Sequence, residues 1–185
     1  MSYPAERENK YTYSDYLKTP DDKRFELIEG DLIMTPSPTV KHQAVSENIS
    51  FLLSSHIRAC KLGRLFYAPM DVVLDQFNVL QPDIMLVLNE NKKVITEANI
   101  KGAPDLVVEI ISPTSGYRDK ATKKRIYERF GVKEYWVVEP QEETVEIYSL
   151  KDKKFALHQS LRKKDTLSSL LLPEFKVPLT DIFST

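Results

Sequence analysis

The chain has 185 residues, of which 42% are hydrophobic and 29% are charged, and its formal net charge is −1. These values exclude a disordered chain and allow a sizeable core, and they leave nucleic-acid binding open because a local basic patch does not need a basic pI. No apolar run is long enough to span a membrane, and Met1–Arg7 lacks the apolar core of a signal peptide. Cys60 is the only cysteine, which excludes a disulfide framework, so we expect a cytoplasmic protein without a membrane partner.

The first segments predict a short helix and a strand pair. Residues 12–15 have the spacing of a capping box, and Pro20 ends the helix that this box opens. Two strands follow between residues 24 and 34, joined by a turn. Because side chains alternate along a strand, Glu26 and Ile28 are expected on one face.

From His42 to about Cys60 the apolar residues recur with the period of a helix. Histidines on an apolar stripe are usually core or boundary residues, although His42 follows a proline-rich loop and could line a cleft. The residues of the predicted buried stripe are Val45, Ile49, Leu52 and His56.

Two further apolar segments predict strands, from Leu65 to Leu74 and from Gln81 to Leu88. Asp83 follows Pro82 at the start of the second of these. The polar segment 89–103 predicts a loop with a helical turn.

The strand from Leu106 to Ile111 is the most informative segment, because Glu109 is its one polar residue. Such continuous hydrophobicity is typical of a strand buried on both faces. A carboxylate in that position loses several kcal/mol of hydration unless a cation, a metal or a proton compensates it. Glu109 therefore requires a partner.

The helix predicted from Gly116 to Phe130 offers a cation as that partner. At about 100° per residue, Lys123 and Ile126 lie on one narrow stripe. Lys123 is the one cation on the face expected to pack against the sheet, and its long stem can carry the ammonium towards the carboxylates. Tyr127 is interpreted as a core aromatic.

Three strands are predicted after this helix, at residues 134–139, 144–150 and 155–159. The tail from Leu167 to Phe183 is apolar enough to pack back on the body. We therefore predict a single domain over residues 1–185, with a core at about 11–160, of the α/β (α+β) class with a mixed sheet.

Asp83, Glu109 and Lys123 together have the composition of a site for a hard cation. Mg²⁺ prefers oxygen ligands and is typically held by one or two carboxylates that leave room for water and phosphate. A neighbouring lysine can stabilise the charge that develops when a phosphodiester is attacked. The residues thus favour a phosphodiester hydrolase that uses Mg²⁺ or Mn²⁺.

Several motifs of the chain resemble the putative restriction endonuclease family, a bacterial group within the PD-(D/E)XK nuclease superfamily. The resemblance runs from about Tyr11 to the C terminus. The motifs that carry it are Phe25–Gly30, His42-Gln43, Gln81-Pro-Asp83, Pro104–Pro113, Arg118–Lys123, Tyr127 and Val132–Pro140.

The resemblance implies a restriction-endonuclease-like αβα core with a mixed central sheet. It also implies that Asp83 is the metal-binding aspartate and Glu109 the acidic strand residue. The superfamily pattern places a lysine two residues after that acid, where this chain has Ile111. The family's helix lysine is matched by Lys123, and Glu26 is similar to the acid that the N-terminal segment contributes in many superfamily members.

The leading hypothesis is an endonuclease that hydrolyses phosphodiester bonds in nucleic acid, with DNA as the expected substrate and a homodimer left open. The alternatives are an inactive, nuclease-derived nucleic-acid-binding or regulatory protein, and a hydrolase of another phosphoester. The basic helix residues are also consistent with a solvated surface. The candidate contacts to nucleic acid are His42, Arg118, Lys120 and Lys124.

Each site residue also has a structural interpretation. Glu109 could be paired with a purely structural cation, and Asp83 could cap a turn. Lys123 could form only a local helix pair with Asp119, a contact worth a few tenths of a kcal/mol.

Overall fold

The computed structural model describes residues 10–20, 22–111 and 117–184, and for residues 117–120 it describes the backbone alone. Within these residues, no helix is both long enough and apolar enough to span a membrane. The helices are α1 (Tyr13–Tyr16), α2 (Val40–Cys60), α3 (Tyr117–Phe130) and α4 (Leu179–Ile182), with a 3-10 helix at Asn89–Val94. The strands are β1 (Phe25–Ile28), β2 (Asp31–Met34), β3 (Gly63–Tyr67), β4 (Val72–Asp75), β5 (Asn78–Leu80), β6 (Ile84–Leu88), β7 (Ile100–Lys101), β8 (Leu106–Ile110), β9 (Glu134–Glu139), β10 (Thr144–Lys151), β11 (Lys154–Arg162), β12 (Thr166–Ser168) and β13 (Lys176–Pro178).

A six-stranded sheet forms the centre of the molecule, with the strand order β11-β10-β9-β8-β6-β3. β8 and β9 run parallel, and α3 provides the crossover that a parallel pair requires. The other pairs are antiparallel, so the sheet is mixed as predicted. β8 lies inside this sheet, which explains why its sequence is apolar on both faces.

Helices cover both faces of the central sheet. On one face, the buried side of α2 packs with Leu106, Val108 and Ile110 of β8. On the opposite face, Ile126 and Tyr127 of α3 pack with Val107. The alternation of β8 therefore directs Glu109, two residues after Val107, towards α3. The αβα arrangement and the mixed α+β class are confirmed.

A second, five-stranded sheet with the order β2-β1-β5-β4-β7 covers the α3 side of the central sheet. Ile28 of β1 and Leu80 of β5 join the same apolar cluster as Val107 and Ile126. Leu27 points the other way and packs with Tyr16 of α1. The predicted alternation of β1 is therefore confirmed, and it turns Glu26 towards α3.

The prediction of one strand from Leu65 to Leu74 is wrong. The segment divides into β3, which pairs with β6, and β4, which pairs with β5 and β7 in the other sheet. Pro69 lies between them, and proline cannot donate a ladder hydrogen bond. The prediction of an irregular segment at 89–103 also missed β7, because two residues are too few to show a strand period.

The buried stripe of α2 differs from the prediction in its second half. Val45 and Ile49 are buried as expected, but Leu53 and Ile57 follow them instead of Leu52 and His56. The stripe thus follows the row of every fourth residue, a row that is slightly inclined to the helix axis. Leu52 packs at the margin of the core, where the ring of His56 meets Phe175 edge-on.

The C-terminal segment, with β12, β13 and α4, packs on the α2 side of the central sheet. Leu167, Val177 and Leu179 belong to the same apolar cluster as Trp136. The carboxylate of Glu134 is buried below them and accepts hydrogen bonds from Trp136 Nε1 at 2.6 Å and from the N–H groups of Leu170 and Leu171 at 2.9 and 3.0 Å. A buried acid on β9 thereby fixes the position of the tail.

We expect Gly63→Ala to lower the melting temperature by several degrees. A Cβ at this position would overlap the carbonyl oxygen of Val87 and lie 2.8 Å from the Cα of Leu88, and these backbone atoms cannot rotate away. Overpacking of this kind costs about 1–3 kcal/mol. The measurement is thermal unfolding, with Arg64→Ala in the same strand as the control, since Arg64 is exposed. Equal melting temperatures for wild type and Gly63→Ala would contradict the close approach of β3 to β6.

Candidate active site

A cleft of about 940 Å³ opens between α2, the loop after β2 and the end of β8. All four predicted catalytic residues and one predicted nucleic-acid contact line this cleft, although they come from five separate segments of the chain. They are Glu26, His42, Asp83, Glu109 and Lys123.

Glu109 is 7% exposed, and both of its carboxylate oxygens have partners. Lys123 Nζ donates to Oε2 at 3.2 Å, and the hydroxyl of Tyr127 donates to Oε1 at 2.6 Å. Burial raises the pKa of Glu109 to about 7; the charge of Lys123 opposes this rise, while the charges of Glu26 and Asp83 add to it. The partner that the sequence required is therefore Lys123, together with a tyrosine that was missed.

Tyr127 was predicted to be a core aromatic, and its ring is indeed fully buried. Its hydroxyl nevertheless belongs to the site. The signal in the sequence was its position one helical turn after Lys123, because residues four apart on a helix share a face. Burial raises the pKa of Tyr127 well above its usual value, and the charges of Glu109 and Glu26 raise it further, so the hydroxyl remains a donor.

Lys123 connects two acids that come from different sheets. Besides the bond to Glu109, its Nζ donates to Glu26 Oε1 at 2.9 Å, and its side chain is only 12% exposed. Burial lowers the pKa of Lys123, but the charges of Glu109 and Glu26 outweigh this effect and raise it. The ammonium therefore stays protonated at neutral pH and acts as a fixed positive charge.

Asp83 lies in the loop before β6 and is tied to the end of β8. Its Oδ2 accepts the N–H of Ile110 at 2.7 Å, so its carboxylate sits beside the residue that follows Glu109. Its Oδ1 lies 3.3 Å from Nε2 of His42. At 19% exposure the Asp83 side chain is more accessible than those of Glu109 and Glu26.

His42 lies in the first turn of α2, where Thr39 accepts its N–H as the N-cap. Burial lowers the pKa of His42, but the hydrogen bond and charge of Asp83, with a hydrogen bond to the backbone of Ile110, raise it above its usual value. Its Nδ1 is buried and has no hydrogen-bond partner within the described ranges. His42 thus holds Asp83 in place from the α2 side.

Glu26 has a second partner in the loop that carries Asp83. Its Oε1 accepts the N–H of Gln81 at 2.8 Å as well as the ammonium of Lys123. The side chain of Gln81 in turn donates to Asp71 at 2.9 Å and accepts from Arg24 at 3.2 Å. Gln81 therefore positions the loop that carries Asp83. The sequence analysis had assigned Gln81 only to a motif.

The basic residues of α3 give less support to a nucleic-acid contact. The side chains of Arg118 and Lys120 lie outside the described part of the chain. Lys124 Nζ lies 3.4 Å from the centre of the Tyr148 ring, a cation–π geometry, and Lys124 does not line the cleft.

The oxygen donors of the cleft suit a hard divalent cation. In the described part of the chain no group of three or more His, Cys, Asp or Glu residues could hold a metal, and the predicted ligands are the two carboxylates of Asp83 and Glu109. Each carboxylate oxygen has two acceptor sites, and the hydrogen bonds described above leave further sites free. Mg²⁺ needs only one or two carboxylates when water and phosphate complete its shell.

The mixed α+β fold has a counterpart among solved structures. A crystal structure described as a putative nuclease belonging to DUF820, from Anabaena variabilis ATCC 29413, superposes with a TM-score of 0.78 at 22% identity, over 94% of this chain and 97% of that one. None of the curated proteins matches the chain.

The chain belongs to the Uma2 family, described as "Putative restriction endonuclease", whose model matches residues 12–180. The resemblance noted in the sequence is thereby confirmed. Membership supports a nuclease that acts on nucleic acid, and divalent metals are general in restriction-endonuclease-like proteins.

We expect Lys123→Met to destabilise the fold, because it leaves the buried carboxylates of Glu26 and Glu109 without their cation. Removal of one partner from a buried ion pair costs about 3–5 kcal/mol. Adding Glu26→Gln to this variant removes one of the two orphaned charges and should recover part of the loss. The free energy of unfolding at pH 7, measured with a chemical denaturant, tests both statements.

The control for this prediction is Lys154→Met, which removes an exposed lysine paired with Glu128 and should change little. Wild-type stability in Lys123→Met would show that the two carboxylates do not depend on this ammonium.

Proposed function

We propose that the protein is a metal-dependent endonuclease that hydrolyses phosphodiester bonds in DNA, with Mg²⁺ or Mn²⁺ as its cofactor. The observation that carries this proposal is the convergence of Asp83, Glu109 and a buried, protonated Lys123 on one open cleft. The family to which the chain belongs supports the same class of reaction.

Asp83 and Glu109 are the residues that would hold the metal. The hydrogen bond from Ile110 to Asp83 fixes the carboxylate of Asp83 beside β8, and Tyr127 and Lys123 fix that of Glu109. A bound divalent cation supplies Lewis-acid polarisation of the phosphodiester and lowers the pKa of water. Because burial raises the pKa of Glu109 to about 7, metal binding at or below that pH would displace a proton from this acid.

Lys123 acts as a fixed positive charge in this proposal. Its pKa is raised, so it does not accept a proton from water at neutral pH, and it stabilises the negative charge that develops on the phosphate or orients the attacking water. Glu26 positions the ammonium of Lys123 from the side of the second sheet. Glu26 thus assists without binding the metal.

The test of the proposed function is cleavage of plasmid DNA and of labelled oligonucleotides with Mg²⁺ or Mn²⁺, compared with EDTA. We expect cleavage by the wild type and background activity in Asp83→Ala, because the more exposed ligand is lost. Asp181→Ala on α4 is the matched control, since this aspartate is exposed and is not among the residues that line the cleft. Binding without cleavage at any metal concentration would favour the inactive nucleic-acid-binding alternative.

Metal binding should also be visible without turnover. The charges of Glu26 and Asp83 raise the pKa of Glu109, so a divalent cation relieves repulsion among these acids and stabilises the native state. We expect Mg²⁺ or Mn²⁺ to raise the melting temperature of the wild type but not of Glu109→Gln. Glu128→Gln, on the same side of the sheet but bonded to Phe155 and Lys154, should respond like the wild type. An equal metal response in Glu109→Gln would place the cation elsewhere.

A further inference from the structure

We propose that a groove between α2 and β3 guides a single strand of nucleic acid into the cleft, an inference that rests on the proposed nuclease function. This α2–β3 groove has a volume of about 470 Å³, and Ser54, Arg58, Arg64, Phe66 and Tyr67 are among its lining residues. It differs from the basic face of α3 that the sequence suggested. Four of its properties point to a single strand.

The first property is continuity with the cleft. Tyr67 lines both the cleft and the α2–β3 groove, so the two cavities meet at this residue. Along α2, Ser46 and Ser50 line the cleft and Ser54 lines the groove, at a spacing of four residues. From Ser46 to Arg58 the helix axis covers about 18 Å, and hydroxyl groups border this path.

The second property is charge. Arg58 and Arg64 lie on opposite walls of the groove and are both exposed, and the described residues that line it include no acid. The described lining of the cleft itself includes four acids, Glu26, Glu47, Asp83 and Glu109, which repel phosphate until a cation is bound. Arg24 and Lys123 also line the cleft but are outnumbered there by the acids, so Arg58 and Arg64 add attraction for a polyanion at the far end of the path.

The third property is aromatic exposure. Tyr67 is 44% exposed where the groove meets the cleft, and Phe51 of α2 is 71% exposed. Phe51 is three residues before Ser54 and seven before Arg58, so it lies on the same side of the helix as the groove. Exposed aromatic rings beside a basic groove are the features on which unpaired bases stack. Bases in a duplex are already stacked and hydrogen-bonded, which is why the proposal specifies a single strand.

The fourth property is the free edge of β3, the last strand of its sheet, with which no further strand of the described residues pairs. The backbone hydrogen bonds from Ala68 to Asp83 and from Asn89 to Leu62 show that the even-numbered residues of β3 and its flanks are the ones that hydrogen-bond to β6 and its flanks. The backbone groups of Gly63, Leu65 and Tyr67 therefore point away from β6, at the wall of the groove. The N–H groups can donate to phosphate oxygens and base edges. A strand of a second protein chain could pair with the same backbone groups.

The experiment measures fluorescence anisotropy of a labelled oligothymidylate of about 12 nucleotides, within the usual range of single-strand sites. EDTA is present throughout, so binding is measured without cleavage. Arg58→Ala/Arg64→Ala should weaken binding about tenfold or more and reduce the salt slope by about 1.4, or 0.7 for each lost phosphate contact. Arg162→Ala is the matched control, since this exposed arginine lies on β11, the opposite edge of the same sheet.

Stacking is tested by a second set of variants. Tyr67→Ala and Phe51→Ala should each weaken binding about fivefold or more with an unchanged salt slope, whereas Tyr67→Phe should retain affinity because it keeps the ring. An oligonucleotide of four nucleotides should bind more weakly than the longer one to the wild type, and this difference should disappear in the double arginine variant. Melting temperatures confirm that each variant is folded.

Three results would overturn the inference: wild-type affinity in the double arginine variant, tighter binding of a duplex than of a single strand, or a concentration-dependent dimer that Arg64→Ala dissociates while oligonucleotide binding is unaffected. The last result would assign the free edge of β3 to a second copy of the chain. Failure of the nuclease proposal is distinguishable, because it leaves the groove variants defective in binding while no protein cleaves DNA in the presence of metal.

Discussion

The ammonium of Lys123, held between Glu26 and Glu109, is the interaction on which the site depends. Burial removes most of the hydration of two carboxylates, and a single cation on α3 compensates both. One acid belongs to each of the two sheets, so this ion triad also joins the second sheet to the central one beside the apolar cluster of Ile28, Val107 and Ile126. The ion triad that offsets the cost of burying these charges therefore also fixes the geometry of the cleft.

The parts of the fold that follow from local periodicity were predictable. The continuous hydrophobicity of β8 identified a strand buried on both faces, and the single carboxylate in it required a partner. The angular position of Lys123 on α3 identified that partner, because a helix that packs on a sheet has one inward face. Sequence patterns failed where long-range pairing decides the structure. Pro69 marks the break in Leu65–Leu74, but nothing in the segment shows that its halves pair in different sheets, and the two residues of β7 are a strand through their pairing with β4.

The site residues that were missed are those that act through a backbone group or through one atom of an apolar residue. The N–H of Ile110 and that of Gln81 orient two carboxylates, and any residue except proline carries such a donor. The ring of Tyr127 packs like a core residue and only its hydroxyl reaches Glu109. Residue type does not report such roles, since they depend on which segments the fold brings together.

Ile111 lines the cleft two residues after Glu109, at the position where the superfamily pattern has a lysine. In this chain the cation comes instead from Lys123 on a separate helix, α3. The spacing of the acid and the cation is thus set by the tertiary structure. Substitutions in the packing of α3 on the central sheet would therefore change the distance between the Glu109 carboxylate and the Lys123 ammonium without altering either residue.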